Sequence, residues 1–232
     1  IIHDIAVQHL PVTFCMDRAG LVGEDGQTHM GLYDIAYMLA VPGMTVAAPR
    51  DGDELIGLLR TALAHTEGPF SLRYPRDKVP VDPRPAAEVA AVPYGTWQLL
   101  REGKDVAILA VGTMVEPSLQ AASQLAAEGI DCTVVNCRFL KPLDSGMLQV
   151  LAAQYRTFVT VEEGTIVNGF GAYLSETLQT TNPEVRVIAL GIPDKLLDQA
   201  PRPEQLETYG LTAGGIARRL RALHSEESVE AR

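Results

Sequence analysis

Between Asp17 and Gly31 the chain reads DRAGLVGEDGQTHMG, directly after the apolar run PVTFCM. Its polar side chains cover three kinds of chemistry. Arg18 is a permanent cation whose planar donor fork matches a carboxylate or a phosphate. Asp25, when ionised, accepts hydrogen bonds from ligand hydroxyls. His29 is the group that exchanges a proton near neutral pH. Gly20, Gly23 and Gly26 permit left-handed dihedrals and close backbone approach.

Familiar binding loops do not fit this spacing. GxxGxxG differs from the dinucleotide fingerprint GxGxxG, and no lysine follows as in a phosphate-binding P-loop. The acids lack the alternation and the terminal bidentate Glu of a calcium loop. The residues alone also admit a plain structural account, with Arg18 pairing with Asp17, Asp25 in a turn and His29 capping a helix. His3, His9, His65 and His224 read as surface or helix-end histidines. Tyr33 and Tyr37, one helical turn apart, read as core packing.

Such a loop needs a rigid scaffold. Short β-branched and apolar runs alternate with amphipathic stretches, which predicts α/β architecture in two domains with mainly parallel sheets. Open sheets of this kind place ligands at the carboxyl ends of their strands. Strands are expected over 12–16, 44–48 and 70–74, with a helix over 31–39. A further helix follows Asp51, which reads as its N-cap with Glu54 completing a capping box. Leu55, Leu58, Leu59, Ala62 and Leu63 are its expected apolar face.

The proline-rich segment 79–93 reads as a linker between a first unit over 1–78 and a second over 94–224. In the second unit, strands over 105–112, 132–137, 157–163 and 185–191 alternate with helices over 116–129, 145–154, 171–179 and 212–224. The charged end, 225–232, reads as a disordered tail.

A formal charge of −10 argues against a general nucleic-acid or anionic-membrane surface, so an anionic ligand must be drawn by a few local cations. No apolar run approaches the roughly eighteen residues of a membrane-spanning helix, and the start lacks the marks of a signal peptide. Cys15, Cys132 and Cys137 form no CxxC and sit in apolar runs, which suggests buried, reduced thiols in a cytoplasmic protein. The opening IIHDIAVQ, without an initiator Met, reads as the tail of a helix, so a fragment or processed chain is expected.

DRAGLVGEDGQTH, followed by Arg73-Tyr74-Pro75-Arg76, resembles the 1-deoxy-D-xylulose-5-phosphate synthase family of thiamine-diphosphate enzymes, within the transketolase superfamily. The core GEDGxTH is the looser superfamily pattern, while DRAG and RYPR point to the synthase branch. PGMTVAAP, GPFSLRYPR, RFLKPLD, TVEEGTIVNGFG and LGIPD extend the likeness to nearly the whole chain.

The resemblance implies that 1–78 is the C-terminal part of a pyrimidine-binding domain and that 94–224 is a transketolase-type C-terminal domain. It implies condensation of pyruvate with D-glyceraldehyde 3-phosphate to 1-deoxy-D-xylulose 5-phosphate and carbon dioxide. Thiamine diphosphate and Mg2+ would be held mainly outside these residues, with no metal ligand here and the catalytic glutamate upstream of residue 1. Carried over by position, Arg18 and Arg76 hold the acceptor's phosphate, Asp25 meets an acceptor hydroxyl, and His29 is the catalytic residue beside the reacting carbon. Arg73 is equally compatible with a sheet-edge or buried ion pair.

The cluster GTIVNGFG, over 164–171, looks like a phosphate loop, but the preceding Glu162 and Glu163 would repel a phosphate. In the resembled fold it starts a helix near a dimer contact. The family further implies a homodimer completed by an N-terminal portion, in the cytoplasm or, in a eukaryote, a plastid. The alternatives are the β-subunit of a 2-oxo-acid dehydrogenase E1 component, a transketolase half, and a fragment that only associates.

Overall fold

The computed structural model describes residues 1–79 and 81–230. In chain order the first elements are β1 (Thr13–Met16), α1 (Asp34–Leu39), β2 (Thr45–Ala47), α2 (Gly52–Ala64) and β3 (Phe70–Arg73). There follow β4 (Gln98–Arg101), β5 (Val106–Ala110), α3 (Val115–Ala126), β6 (Cys132–Asn136), β7 (Phe139–Lys141) and α4 (Ser145–Gln154). The chain closes with β8 (Thr157–Thr165), α5 (Phe170–Thr181), β9 (Arg186–Ile192), α6 (Arg202–Thr208) and α7 (Ala213–Glu230).

Two mainly parallel sheets result, as the alternation predicts. One has the order β1-β3-β2-β7 and the other β4-β6-β5-β8-β9. β5, β6 and β8 are buried along their whole length, which suits apolar strands covered by helices on both faces. β4 and β7 are antiparallel edges that the sequence reading does not contain, and α6 is also additional to it.

β7 leaves the second sheet's part of the chain to pair with β2 in the first sheet. The two halves therefore share a core, in which Ile35, Met38 and Val46 pack with Leu109, Phe158 and Phe170. Lys141 at the end of β7 donates to the carbonyls of Leu39 and Val41 at 2.9 and 2.8 Å, closing the C-terminal end of α1.

Several local expectations need correction. The expected tail is helical over 225–230, because α7 continues to Glu230, and 231–232 lie outside the described residues. Cys15 is exposed, because β1 is an edge strand, whereas Cys132 and Cys137 are buried. Asp51 does cap α2 by accepting from the Glu54 amide at 2.8 Å. Glu54, however, reaches past the cap to the Arg50 amide and also accepts from Asn136 on β6.

Leu59 and Leu63 are exposed, at 37% and 73%. The buried side of α2 is instead Glu54, Gly57, Leu58, Thr61 and Ala62. Its small residues accept the end of the proline-rich segment: Thr61 Oγ1 donates to the Val92 carbonyl at 2.6 Å, and the Val92 amide donates to Gly57. Among the described residues no helix is long and apolar enough to cross a membrane.

Candidate active site

β1 and β3 are parallel neighbours in register, with Met16 beside Arg73, so the segments that follow them leave the sheet at the same edge. This places Asp17–Gly31 against Tyr74-Pro75-Arg76, joined by a hydrogen bond from the Ala19 amide to the Tyr74 carbonyl at 2.9 Å. The loop closes on itself through reciprocal Gly20 and Gly31 hydrogen bonds of 2.7 and 2.9 Å. Arg18 sits at the mouth with φ 57°, a left-handed conformation uncommon outside glycine and often found at functional sites.

Three of the four expected site residues converge on one oxygen. Asp25 Oδ2 accepts from Arg76 Nη1 at 2.8 Å and lies 3.8 Å from Arg18 Nε. Arg18 Nη1 also pairs with Asp17 at 2.7 Å, so the plain pairing and the convergence on Asp25 coexist. Two guanidinium groups from separate strand ends thus already face a common anionic atom.

His29 is exposed, and its Nδ1 lies 2.9 Å from the Thr28 hydroxyl. With Arg18 it lines a shallow pocket of about 230 Å3 whose other walls include Met16, Tyr33 and Tyr37. Asp25 and Arg76 are not part of that wall. Tyr33 and Tyr37 are not core residues: they are 45% and 47% exposed at this pocket. Short α1 buries Asp34, Ile35, Met38 and Leu39 instead, which turns both tyrosines outward.

Arg73 is scaffolding. Its guanidinium makes a two-pronged pair with Asp34, at 2.6 and 3.2 Å, and donates to the Glu163 carbonyl at 3.1 Å. Arg and Asp are only 6% and 7% exposed there, so neither is free for a ligand.

Glu162 and Glu163, expected only to repel a phosphate, each have a set of partners. Glu162 accepts from the Phe170 and Gly171 amides, at 2.8 and 2.9 Å, and so satisfies the free amides at the N-terminus of α5. GTIVNGFG therefore starts a helix over the protein's own carboxylate. Burial pushes the Glu162 carboxyl up to about 7.

Glu163 binds the Leu21 amide, the Thr113 hydroxyl and the guanidinium of Arg202. Arg202 and its second partner Asp77 were not singled out from the sequence. Two acids inside an otherwise apolar strand are the signal that buried partners must exist. Among the described residues no group of three or more His, Cys, Asp or Glu side chains is placed to hold a metal ion.

The family model described as "Transketolase, pyrimidine binding domain" matches residues 1–82, and "Transketolase, C-terminal domain" matches 95–216. The chain is 48% identical to a protein of Gloeobacter violaceus named 1-deoxy-D-xylulose-5-phosphate synthase, over 100% of this chain and 36% of that protein. It is 47% identical to a protein of the same name from Microcystis aeruginosa, over 96% of this chain and 35% of that protein. The chain thus spans about a third of the length of these curated relatives.

Among solved structures it superposes on a chain described as "Split gene transketolase, inactive beta4 tetramer" with a TM-score of 0.85 and 31% identity. That match covers 97% of this chain and 71% of the other. A transketolase mutant from Pichia stipitis shares the fold at a TM-score of 0.76 and 20% identity, over 96% of this chain and 31% of that one. Matched by both domain models and by these relatives, the chain belongs to the transketolase family.

Proposed function

We propose that this chain forms the acceptor-binding side of the active site of a 1-deoxy-D-xylulose-5-phosphate synthase, which joins pyruvate to D-glyceraldehyde 3-phosphate with loss of carbon dioxide. The observation that carries this reading is the meeting of Arg18 and Arg76 at a single anionic oxygen. A terminal phosphate offers oxygens to both forks at once, in short charge-assisted bonds. Asp25 keeps the two guanidiniums oriented, and its other oxygen is available to an acceptor hydroxyl.

His29 stands beside Arg18 with its imidazole in the open pocket, in position to hold or move a proton at the acceptor's carbonyl oxygen. Thiamine diphosphate, when bound, supplies the electron sink for decarboxylation. Its diphosphate, Mg2+ and the catalytic glutamate would belong to protein outside these residues. In this reading 1–78 completes a pyrimidine-binding domain, 79–93 joins it to the C-terminal domain over 94–224, and the assembly is a cytoplasmic homodimer.

In the holoenzyme, Arg76→Ala is expected to raise KM for D-glyceraldehyde 3-phosphate about 10- to 100-fold, the scale of a lost hydrogen bond to a charged group. His29→Ala is expected to lower kcat about 100-fold or more, with a smaller change in KM. Unchanged kinetics in both variants would overturn the assignment. A second reading, a separate subunit that assembles without activity when alone, is favoured by the likeness to the split-gene transketolase tetramer described as inactive. Recovery of activity on mixing with a separately produced thiamine-diphosphate-binding chain would select it.

A further inference from the structure

Resting on that reading of the phosphate site, we infer that Arg202, locked by Glu163, is a positioning residue. It fixes the spacing between the loop that carries Arg18 and Asp25 and the segment that carries Arg76. Glu163 rises from β8 with its side chain only 2% exposed. Its Oε1 accepts from the Leu21 amide at 2.9 Å and from Arg202 Nε at 2.8 Å. Its Oε2 accepts from the Thr113 hydroxyl at 2.9 Å and from Arg202 Nη2 at 2.6 Å. Arg202 Nη1 then reaches Asp77 Oδ2 at 2.7 Å, one residue beyond Arg76.

The contacts close a circuit. It runs from Arg76 to Asp25, back along the loop to Leu21, through Glu163 and Arg202 to Asp77, and so to Arg76 again. All three nitrogens of the Arg202 guanidinium are engaged by carboxylates, which makes its role geometric. Two of the loop glycines find their reason here. A Cβ on Gly20 would lie 2.7 Å from the Glu163 carboxyl carbon. A Cβ on Gly23, at φ +59°, would lie 2.7 Å from the Ala200 carbonyl oxygen and 2.8 Å from the Arg202 amide. Gln199 adds a hydrogen bond to the Glu24 carbonyl. The spacing GxxG therefore serves the approach of the second half of the chain to the loop.

A displacement of about 1 Å between positioning groups costs on the order of a hundredfold in rate or binding, so the clamp acts on the phosphate without touching it. The test compares D-glyceraldehyde 3-phosphate with D-glyceraldehyde, which lacks the phosphate, in the holoenzyme. Asp77→Ala removes the outer link, at a half-exposed side chain, and Arg202→Met removes the clamp.

The expected result is a KM for the phosphorylated acceptor about tenfold higher in each variant, with kcat within about twofold and no matching change for the unphosphorylated one. Melting temperatures report folding, and Asp77→Ala carries the test should Arg202→Met unfold. Equal losses on both acceptors, or no loss on either while Arg76→Ala still abolishes discrimination, would overturn the clamp alone. Retained discrimination in Arg76→Ala would overturn the phosphate site and the clamp with it.

Discussion

A methyl group at Gly31 would run into the carbonyl of Arg18, whereas one at Gly26, at φ +76°, would face open space. The two glycines thus answer different demands, one for close backbone approach and one for a left-handed turn. Gly31→Ala is expected to break the reciprocal Gly20–Gly31 bonds and to cost about 1–3 kcal/mol, read as a lower melting temperature and faster hydrogen exchange at both amides. Gly26→Ala should cost about 1–3 kcal/mol, because φ 76° with ψ −172° is a region essentially reserved for glycine, and should leave the loop closed. At this scale the sequence is legible where a motif carries the residue: Arg18 and Arg76 are singled out by DRAG and RYPR, not by charge, in a chain with 19 lysines and arginines. It is illegible where the role depends on a distant partner. Arg73 becomes scaffolding only through Asp34, and Tyr33 and Tyr37 face the pocket only because α1 turns its other side inward.

Elements follow the same rule. β5 is a continuous apolar run, and β6 and the start of β8 are rich in β-branched residues, so these strands are readable in isolation because burial on both faces is written into them. β7 is three residues before a proline, and β4 is a short edge, so neither carries a local pattern; each exists because a neighbouring strand offers unpaired groups. Leu59 and Leu63 mislead for a related reason: the proline-rich segment packs on the small residues of α2, and the helix faces it rather than its leucines. The join between β7 and α1 is testable at Lys141, whose ammonium satisfies two terminal carbonyls. Lys141→Met is expected to strip the ammonium from the Leu39 carbonyl and leave Val41 with the Met44 amide alone, lowering unfolding free energy by about 1–3 kcal/mol in denaturant titrations. An unchanged denaturation midpoint would show that water replaces the ammonium without loss.

Across the whole molecule, the least legible feature is that two adjacent strand acids are buried with partners, one of them joining parts of the chain far apart in sequence. Glu163 links Leu21 to Arg202, and Glu162 links β8 to α5. Hydrophobic periodicity is blind to such contacts, because burying a carboxyl is unfavourable until its partners are in place. Glu162 turns that arrangement into a pH dependence. Burial raises its carboxyl to about 7, and the Gly171 and Phe170 amides and the Arg73 charge only partly oppose the shift. The folded state then holds a proton that the unfolded chain, with an ordinary value of 4.5, has already released. Stability from this group is therefore fully present below about pH 4.5 and is lost as pH rises through about 7. Glu162→Gln removes the titration while keeping an oxygen for one helix amide. The melting temperature of the parent protein is expected to fall relative to that variant across this window, and the two curves should run parallel above about pH 8. Curves that stay parallel from pH 5 upward would mean that Glu162 is already ionised in the fold, held by the α5 amides strongly enough to cancel its burial.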